Sequence, residues 1–240
     1  MNTMYLPAAP EVREAFEQEV LALGGSVTGV VADGDLLFAR AVLPGAAEVR
    51  PGDRVHAGVA LRTHDTEILV HPYTYRVVCT NGAIVAYTKA SRVVERVELS
   101  APTPMIDAVL DAVRAAVREC AAPGALAATV GAMRAATRIE ADVMLQLMMV
   151  LEHMPPGIRV GMFRRIVGRF EAEGDRSAFG LVNAVTSVAR DTADAETRWR
   201  LEELGGGMLA RMPDRPKRAA PALEILERVD GATDLRVAVR

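Results

Sequence analysis

Residues 51–76 read PGDRVHAGVALRTHDTEILVHPYTYR, and this stretch decides the fold class. Pro51-Gly52-Asp53 predicts a turn. In RVHAGVALR, which follows, every second side chain is apolar, and TEILVHPY runs back after a second turn at residues 63–65. A period of two is typical of strands that bury one face, so the stretch predicts an antiparallel hairpin. The residues expected on the buried face of its first strand are Val55, Ala57, Val59 and Leu61.

The residues before this hairpin predict a helix and an earlier hairpin. Residues 10–23 place apolar side chains at helical spacing, and Gly24-Gly25 ends the pattern. Residues 27–33 and 35–43 have the composition of strands, and the Asp-Gly-Asp sequence around Gly34 is typical of the turn between them.

Asn81-Gly82 follows the central hairpin and allows two interpretations. The pair predicts either a tight hairpin turn or the left-handed end of a short helix over residues 76–80. Either structure would place Gly82 at positive φ, a conformation that glycine adopts without steric cost.

Near residue 100 the pattern becomes helical. Pro123-Gly124, Pro155-Pro156 and Gly174 interrupt it, and residues 139–151 are so apolar that they predict a buried central helix. After Pro213 a polar linker at 214–218, a weak helix and a possible terminal strand follow. The predicted helices of this half span residues 104–121, about 125–153, 157–173, 177–190, 196–211 and, weakly, 221–229.

These patterns predict an α+β protein with an N-terminal, mostly antiparallel sheet of hairpins and a helical C-terminal half. We expect a strand-rich region over residues 1–100. A helical region over 101–212 is expected to pack on it as one domain, and residues 213–240 are expected to hold the linker, short helix and terminal strand.

Composition excludes several classes of protein. The 240 residues are 50% hydrophobic and 25% charged, which is the balance of a folded domain rather than a disordered chain. The net charge of −3 argues against a protein that coats nucleic acid over its whole surface. There is no signal-peptide pattern and no apolar run near the roughly 20 residues that cross a bilayer. With only two cysteines, we expect a cytoplasmic protein without a membrane partner.

Motifs for catalysis or metal binding are weak. His56, His64 and His71 are spaced more widely than the usual zinc-ligand pairs. Cys79 has His71 upstream and Asn81 downstream, but it follows an apolar run, as inert packing cysteines do. There is no nucleophile elbow, phosphate loop or dinucleotide-binding motif. We therefore predict no catalytic residue, metal or cofactor, while a Cys79 enzyme stays open.

Basic and aromatic residues give the clearest functional signal. Residues 76–96 carry a local charge of +3, and three of the four tyrosines lie in or beside this stretch. Proteins that bind single-stranded nucleic acid combine a positive groove with aromatic rings that stack on bases. The alternative is a solvated sheet edge with ordinary strand tyrosines. The residues concerned are Tyr73, Tyr75, Tyr87, Arg76, Lys89, Arg92 and Arg96.

A second basic stretch spans residues 157–170 and has a local charge of +4. On a helix it would present Arg164, Arg165 and Arg169 opposite an apolar stripe. Such a helix can contact phosphates, an acidic partner helix or a membrane surface, or can simply be solvated. With the first stretch, it predicts a nucleic-acid track within a chain that is acidic overall.

Residues 51–85 also resemble the central signature of the phage/plasmid-like family, whose domain of unknown function bears the number nine-three-two. The family pattern has an arginine, a cysteine and an asparagine close together, matched by Arg76, Cys79 and Asn81. Its N-A-x-T segment is matched from Asn183 to Thr186. The resemblance covers roughly residues 50–210 and is that of a short, divergent member, with Arg190-Asp191 where the family often has a histidine. It implies a DNA transaction such as recombination or single-strand annealing.

Residues and resemblance together predict a protein that handles single-stranded DNA, with Asn81 among its binding residues. The alternative is a protein–protein assembly module of a mobile element, in which a methionine-rich segment forms an adaptable interface. A homo-oligomer is possible under either hypothesis. The methionines concerned are Met144, Met148, Met149 and Met154.

Overall fold

A computed structural model of the chain describes residues 4–5, 9–34, 36–64, 67–76, 81–84, 92–95, 97–98, 104–143, 147 and 156–210. The strands are β1 (Met4–Tyr5), β2 (Ser26–Asp33), β3 (Leu36–Arg50), β4 (Asp53–His64), β5 (Glu67–Arg76), β6 (Asn81–Ile84), β7 (Arg92–Glu95) and β8 (Val97–Glu98). The helices are α1 (Ala9–Ala22), α2 (Pro104–Cys120), α3 (Pro123–Ala136), α4 (Pro156–Glu173), α5 (Ala178–Arg190) and α6 (Ala195–Ala210).

The main sheet is an antiparallel series in the order β2-β3-β4-β5-β6. β5 is paired along its whole length with β4, but its other edge is shared by two short strands. Residues 73–76 pair with β6, and residues 67–70 pair with β7. β1 and β8 form a separate antiparallel pair. The predicted α+β class, with an antiparallel sheet followed by helices, is confirmed.

Both early hairpin turns are confirmed. Gly34 (φ +57°) connects β2 to β3, and Gly52 (φ +78°) connects β3 to β4. The left-handed backbone explains why glycine occupies these two positions, because a Cβ atom strains that conformation.

Both interpretations of Asn81-Gly82 were wrong. The pair begins strand β6, where Asn81 lies opposite Arg76 and Gly82 lies opposite Tyr75. Gly82 is therefore extended and is not among the glycines with positive φ. It is required by close packing instead, because a Cβ atom there would overlap the ring of Tyr73.

Helices α1 and α2 cover one face of the sheet. Alternate residues of β3, β4 and β5 point toward them, as the period of two predicted. Val12, Phe16 and Val20 of α1 meet Val113 and Val117 of α2 in this core. The sheet residues in the same cluster are Leu37, Ala39, Ala41, Leu43, Ala57, Val59, Leu61, Ile68 and Val70.

In the described part of the C-terminal half, the expected helices are present with one correction. α3 ends at Ala136 rather than continuing toward residue 153. The reason is that the next residues pair with another segment: the Ala141 N–H donates to the carbonyl of Arg176 (3.0 Å), and the Ala178 N–H donates to that of Ile139 (2.8 Å). Backbone groups in such a bridge cannot also continue the helical series.

α5 is deeply buried, and in the segment predicted as a buried central helix the described residues Ala141, Val143 and Leu147 are buried as well. Every residue from Ala178 to Ala189 is buried, and Ser177 caps the helix by accepting a hydrogen bond from the N–H of Gly180. Most of residues 143–151 lie outside the described part of the chain.

The chain divides into two compact units, and the boundary between them lies between Gly131 and Ala132. The change of composition lies near residue 100, but α2 belongs to the core of the first unit. The expected packing of the helical region on the sheet as one domain stays a prediction. The expected linker, short helix and terminal strand at 213–240 lie outside the described residues. Of the helices that the structure describes, none combines the length and apolar character needed to cross a membrane.

Candidate nucleic-acid interface

Three arginines of the second unit contact one aspartate, Asp191. Arg169 of α4 donates through Nη2 to Oδ2 of Asp191 (2.6 Å), and Arg190 donates through Nε to Oδ1 (2.9 Å). Arg165 donates through Nη2 to the backbone carbonyl of Asp191 (3.3 Å). We call Arg165, Arg169 and Arg190 the arginine cluster; with Asp191, it carries a net charge of +2.

The charge of this cluster acts on Asp191. The hydrogen bond from Arg190 has the largest effect and lowers the pKa of the Asp191 carboxyl group. Burial opposes this shift, and the charges of Arg190, Arg169 and Arg165 each lower the pKa by a smaller amount. A carboxylate held in this way stays ionised at neutral pH. It therefore acts as an internal counter-ion and compensates only part of the positive charge.

The amphipathic pattern of α4 explains why the cluster faces outward. Phe163, Val167 and Phe170 are buried on one side of the helix, as predicted, and Ile166 is buried with them. Arg164 and Arg165 are exposed, and Arg169 is partly exposed. The predicted residues Arg164, Arg165 and Arg169 are thus placed on one helix and at least partly at the surface.

Arg190 belongs to the arginine cluster but was not among the residues predicted from the sequence, where it stood out only as a departure from a family pattern. The sequence signal for Arg190 was its position. It is a basic residue in the last turn of α5, and the aspartate that follows it can accept hydrogen bonds from other guanidinium groups.

Arg76, the first residue of the first basic stretch, is held in an ion pair within the protein. Arg76 forms a two-pronged ion pair with Asp53: Nε donates to Oδ1 (2.6 Å) and Nη2 to Oδ2 (2.8 Å). Both side chains are mostly buried, with 18% of the arginine and 10% of the aspartate exposed. This arginine joins the end of β5 to the start of β4, so its main visible role is structural.

Tyr73 belongs to the core. Only 3% of the residue is exposed, and its ring lies against Gly58 and Gly82. A ring in this position packs the sheet rather than stacking on a base, which corrects the predicted role of Tyr73. Tyr75 is half-buried on the same strand and keeps part of its surface accessible.

The remaining predicted residues of this stretch are described only in part. Asn81 and Arg92 are placed as backbone positions in β6 and β7, and their side chains lie outside the description. Tyr87, Lys89 and Arg96 lie outside the described residues, as does Cys79. The two basic stretches belong to different compact units, so each is described by itself.

Histidines of the sheet do not form a metal site in the described part of the chain. His56 lies opposite Tyr75, whereas His71 lies opposite Ala60, four positions away along β5. The described residues include no group of three histidine, cysteine or acidic side chains able to hold a metal ion.

Comparison of the chain with protein-family models, with curated proteins and with solved structures finds no match. The resemblance to the phage/plasmid-like family stays a prediction that rests on the residues quoted above.

Proposed function

We propose that the protein binds nucleic acid and contacts its phosphates through the arginine cluster and the neighbouring Arg164. The observation that carries this proposal is the convergence of three arginines on Asp191: Arg169 and Arg190 bind its carboxylate, and Arg165 binds its backbone carbonyl. The guanidinium groups are already gathered at one point, and a phosphate group offers them the same kind of acceptor oxygens as a carboxylate does.

Partial exposure of the cluster favours a polymer of phosphates as the ligand. Arg169 and Arg190 have 39% and 31% of their side chains exposed, and Arg164 and Arg165 are exposed beside them. Exposed arginines gain little from one monovalent anion in water, but a nucleic-acid backbone presents several charges and releases counter-ions on binding.

Single-stranded DNA is the form of nucleic acid that we propose, in recombination or annealing. Support for this part comes from the family resemblance and from the tyrosines of the first basic stretch. Tyr75 keeps an accessible surface, and a tyrosine ring in that state can stack on an unpaired base. Tyr75 therefore replaces Tyr73 as the ring that a test should remove.

The experiment is fluorescence anisotropy with a labelled single-stranded oligonucleotide, repeated over a range of salt concentrations. We expect tight binding at low salt and a steep loss of affinity as salt rises. The double variant Arg165→Gln, Arg169→Gln should bind at least about tenfold more weakly, equivalent to about 1.4 kcal/mol. Its salt slope should fall by about two, because two phosphate contacts are lost.

A matched control removes the same charge elsewhere. Arg13 on α1 and Arg114 on α2 are surface arginines that pair within their own helices with Glu17 and Asp111. The double variant Arg13→Gln, Arg114→Gln should bind as the unchanged protein does. Absence of binding at low salt, or an equal loss in both double variants, contradicts the proposal.

Asp191→Asn tests the mechanism in the opposite direction. Removal of the internal counter-ion frees the guanidinium groups to contact phosphate, so affinity should rise. Tyr75→Ala should weaken binding of the single strand more than that of a duplex of the same sequence. Equal weakening of both would leave phosphate binding in place and contradict the single-strand preference.

Assembly through the methionine-rich segment remains the second hypothesis. Met144, Met148, Met149 and Met154 lie outside the described residues. Mass measurement in solution distinguishes the two hypotheses, because a monomer that binds DNA needs no such interface.

A further inference from the structure

Strand β2 leaves one edge of the main sheet open in the described part of the chain. It is the first strand in the order β2-β3-β4-β5-β6, and β3 is its one partner among the described strands. At the other side of the sheet, the outer edge of β5 is paired with β6 and β7. The backbone N–H and C=O groups along an open edge can pair with a further strand.

The residues of β2 do not protect this edge in the ways that edge strands commonly use. Its sequence, SVTGVVAD, has no lysine, arginine or proline, and the charged Asp33 comes last. Valine and threonine make up half of the strand and favour extended structure. None of the eight residues is buried, so the strand is accessible to a partner.

A β-bulge limits which part of β2 can pair with a straight partner. The register between β2 and β3 shifts between Val27 and Gly29, and it is regular from Gly29 to Asp33. A bulge bends and twists its strand, which hinders pairing at that point. The regular edge therefore consists of five residues, 29–33, and Val31 is at its centre.

Val31 is also one of the large apolar residues that the structure leaves in solvent. It is 47% exposed, whereas its cross-strand neighbour Phe38 is 3% exposed, so burial on this face decreases toward the edge. Leu36, which lies opposite Asp33, is 37% exposed on the same face. Apolar side chains beside an open edge offer a partner strand apolar contact as well as backbone hydrogen bonds.

We propose that residues 29–33 of β2 pair antiparallel with the same residues of a second copy of the chain. A two-fold axis perpendicular to the sheet then places Val31 opposite its own counterpart and Gly29 opposite Asp33 of the other copy. The main sheets of the two copies join into one. This interface lies in the first compact unit and does not use the arginine cluster, so it goes beyond the nucleic-acid proposal.

Side-chain size and charge favour a second copy as the partner. The pairing brings two exposed valine side chains together, and Gly29 adds no side chain beside Asp33. The two Asp33 positions lie roughly 13 Å apart along the strands, beyond the Debye length of about 8 Å at physiological ionic strength. Because five paired residues make a small interface, we expect a dimer that dissociates on dilution.

Sedimentation velocity of the intact chain without nucleic acid, over a range of concentrations, measures this association. We expect the mass to rise from that of one chain toward that of two. Val31→Lys should keep the chain monomeric at concentrations where the unchanged protein is mostly dimeric, because two lysines would meet at the axis. The matched control is Ile158→Lys, at a β-branched residue of α4 that is 37% exposed in the second unit; it should dimerise as the unchanged protein does.

Disulfide trapping tests the register. Residues directly opposite each other in an antiparallel pair have Cα atoms about 4.5–5.5 Å apart, within the range of about 4.4–6.8 Å that a disulfide spans. Val31→Cys should therefore link two copies under mild oxidation, and peptide mass spectrometry should identify the bond between the two residues 31. Thr28→Cys, at another exposed residue of β2, should not link, because its two positions lie roughly 20 Å apart.

Thermal unfolding midpoints of the variants should stay close to that of the unchanged protein, because the substituted residues are exposed. A chain that is monomeric at every concentration overturns the proposal and leaves the edge to a strand of another protein. Association that persists in Val31→Lys also overturns it and assigns the contact to another surface, such as the methionine-rich segment. So does equal linking of Val31→Cys and Thr28→Cys.

Discussion

A Cβ atom at Gly82 would overlap the hydroxyl and ring carbons of Tyr73, and both residues are buried. Overfilling a packed core forces side chains or backbone to move, at a cost of about 1–3 kcal/mol. Gly82→Ala should lower the free energy of unfolding by that amount in a denaturant titration.

Gly29→Ala is the matched control for this substitution. Gly29 also lies in a strand, and apart from its chain neighbours no atom of the described residues comes within 4 Å of a Cβ atom placed there. Gly29→Ala should therefore lower the free energy of unfolding much less than Gly82→Ala does. Equal effects at the two positions would mean that the close approach of Tyr73 is not what requires glycine at residue 82.

His71 makes stability depend on pH. Its pKa is lowered from 6.5 to about 4 by burial, so between these values the unfolded chain binds a proton that the folded protein does not. The stability that the neutral His71 contributes is therefore fully present above pH 6.5. It is lost as the pH falls toward 4, by at most about 3 kcal/mol in the free energy of unfolding. Denaturant titrations at several pH values measure this loss.

His71→Gln removes the ionisable group and should flatten the profile in this window. The lowered pKa values of Asp191 and Asp194 contribute in a different range, since their stabilisation is lost only below their ordinary value of 3.8. A profile that keeps its slope between pH 6.5 and 4 in His71→Gln would assign the effect to other groups.

At the level of elements, the ion pair between Arg76 and Asp53 fastens β5 to the start of β4. Arg76→Met should destabilise the protein by about 2 kcal/mol, because it leaves the mostly buried carboxylate of Asp53 without two charged hydrogen bonds. Arg54→Met, at an exposed neighbour, should have an effect below about 0.5 kcal/mol. Similar denaturant midpoints for the two variants would show that the pair contributes little.

Elements with strong periodicity could be predicted from sequence alone. The hairpins at Gly34 and Gly52 and the helix beginning at Ala9 follow from residue spacing and turn chemistry. The end of α3 could not be predicted, since it depends on pairing between Glu140 and Ser177, which are far apart in the chain. Local propensity holds no information about such a partner.

The candidate site, too, could be predicted only in part from the sequence. Basic residues in α4 were visible as a charge pattern, but the meeting of Arg165 and Arg169 with Arg190 depends on how α4 packs against α5. The prediction that Tyr73 stacks on bases was wrong. The period of two along a strand assigns each residue to one face of the sheet, but it does not say whether both faces are buried. Here both faces of β5 are buried over residues 70–74.

At the level of the whole molecule, charge is distributed unevenly. A net charge of −3 hides a segment of α4, residues 157–170, with a local charge of +4, and sequence alone could locate that segregation. It could not locate the division into units, because α2 resembles the later helices in composition but packs with α1 and the sheet. Packing partners, rather than composition, define the unit.

The shared outer edge of β5 has a kinetic consequence. Its amide groups that point away from β4 depend on two short strands, β6 for residues 73–76 and β7 for residues 67–70. Pro72 lies between these two sets of pairs and has no N–H of its own. The edge can therefore open in two separate steps, so its amide protons should exchange with solvent at two different rates. The central β4, paired on both sides, should retain its protons longest.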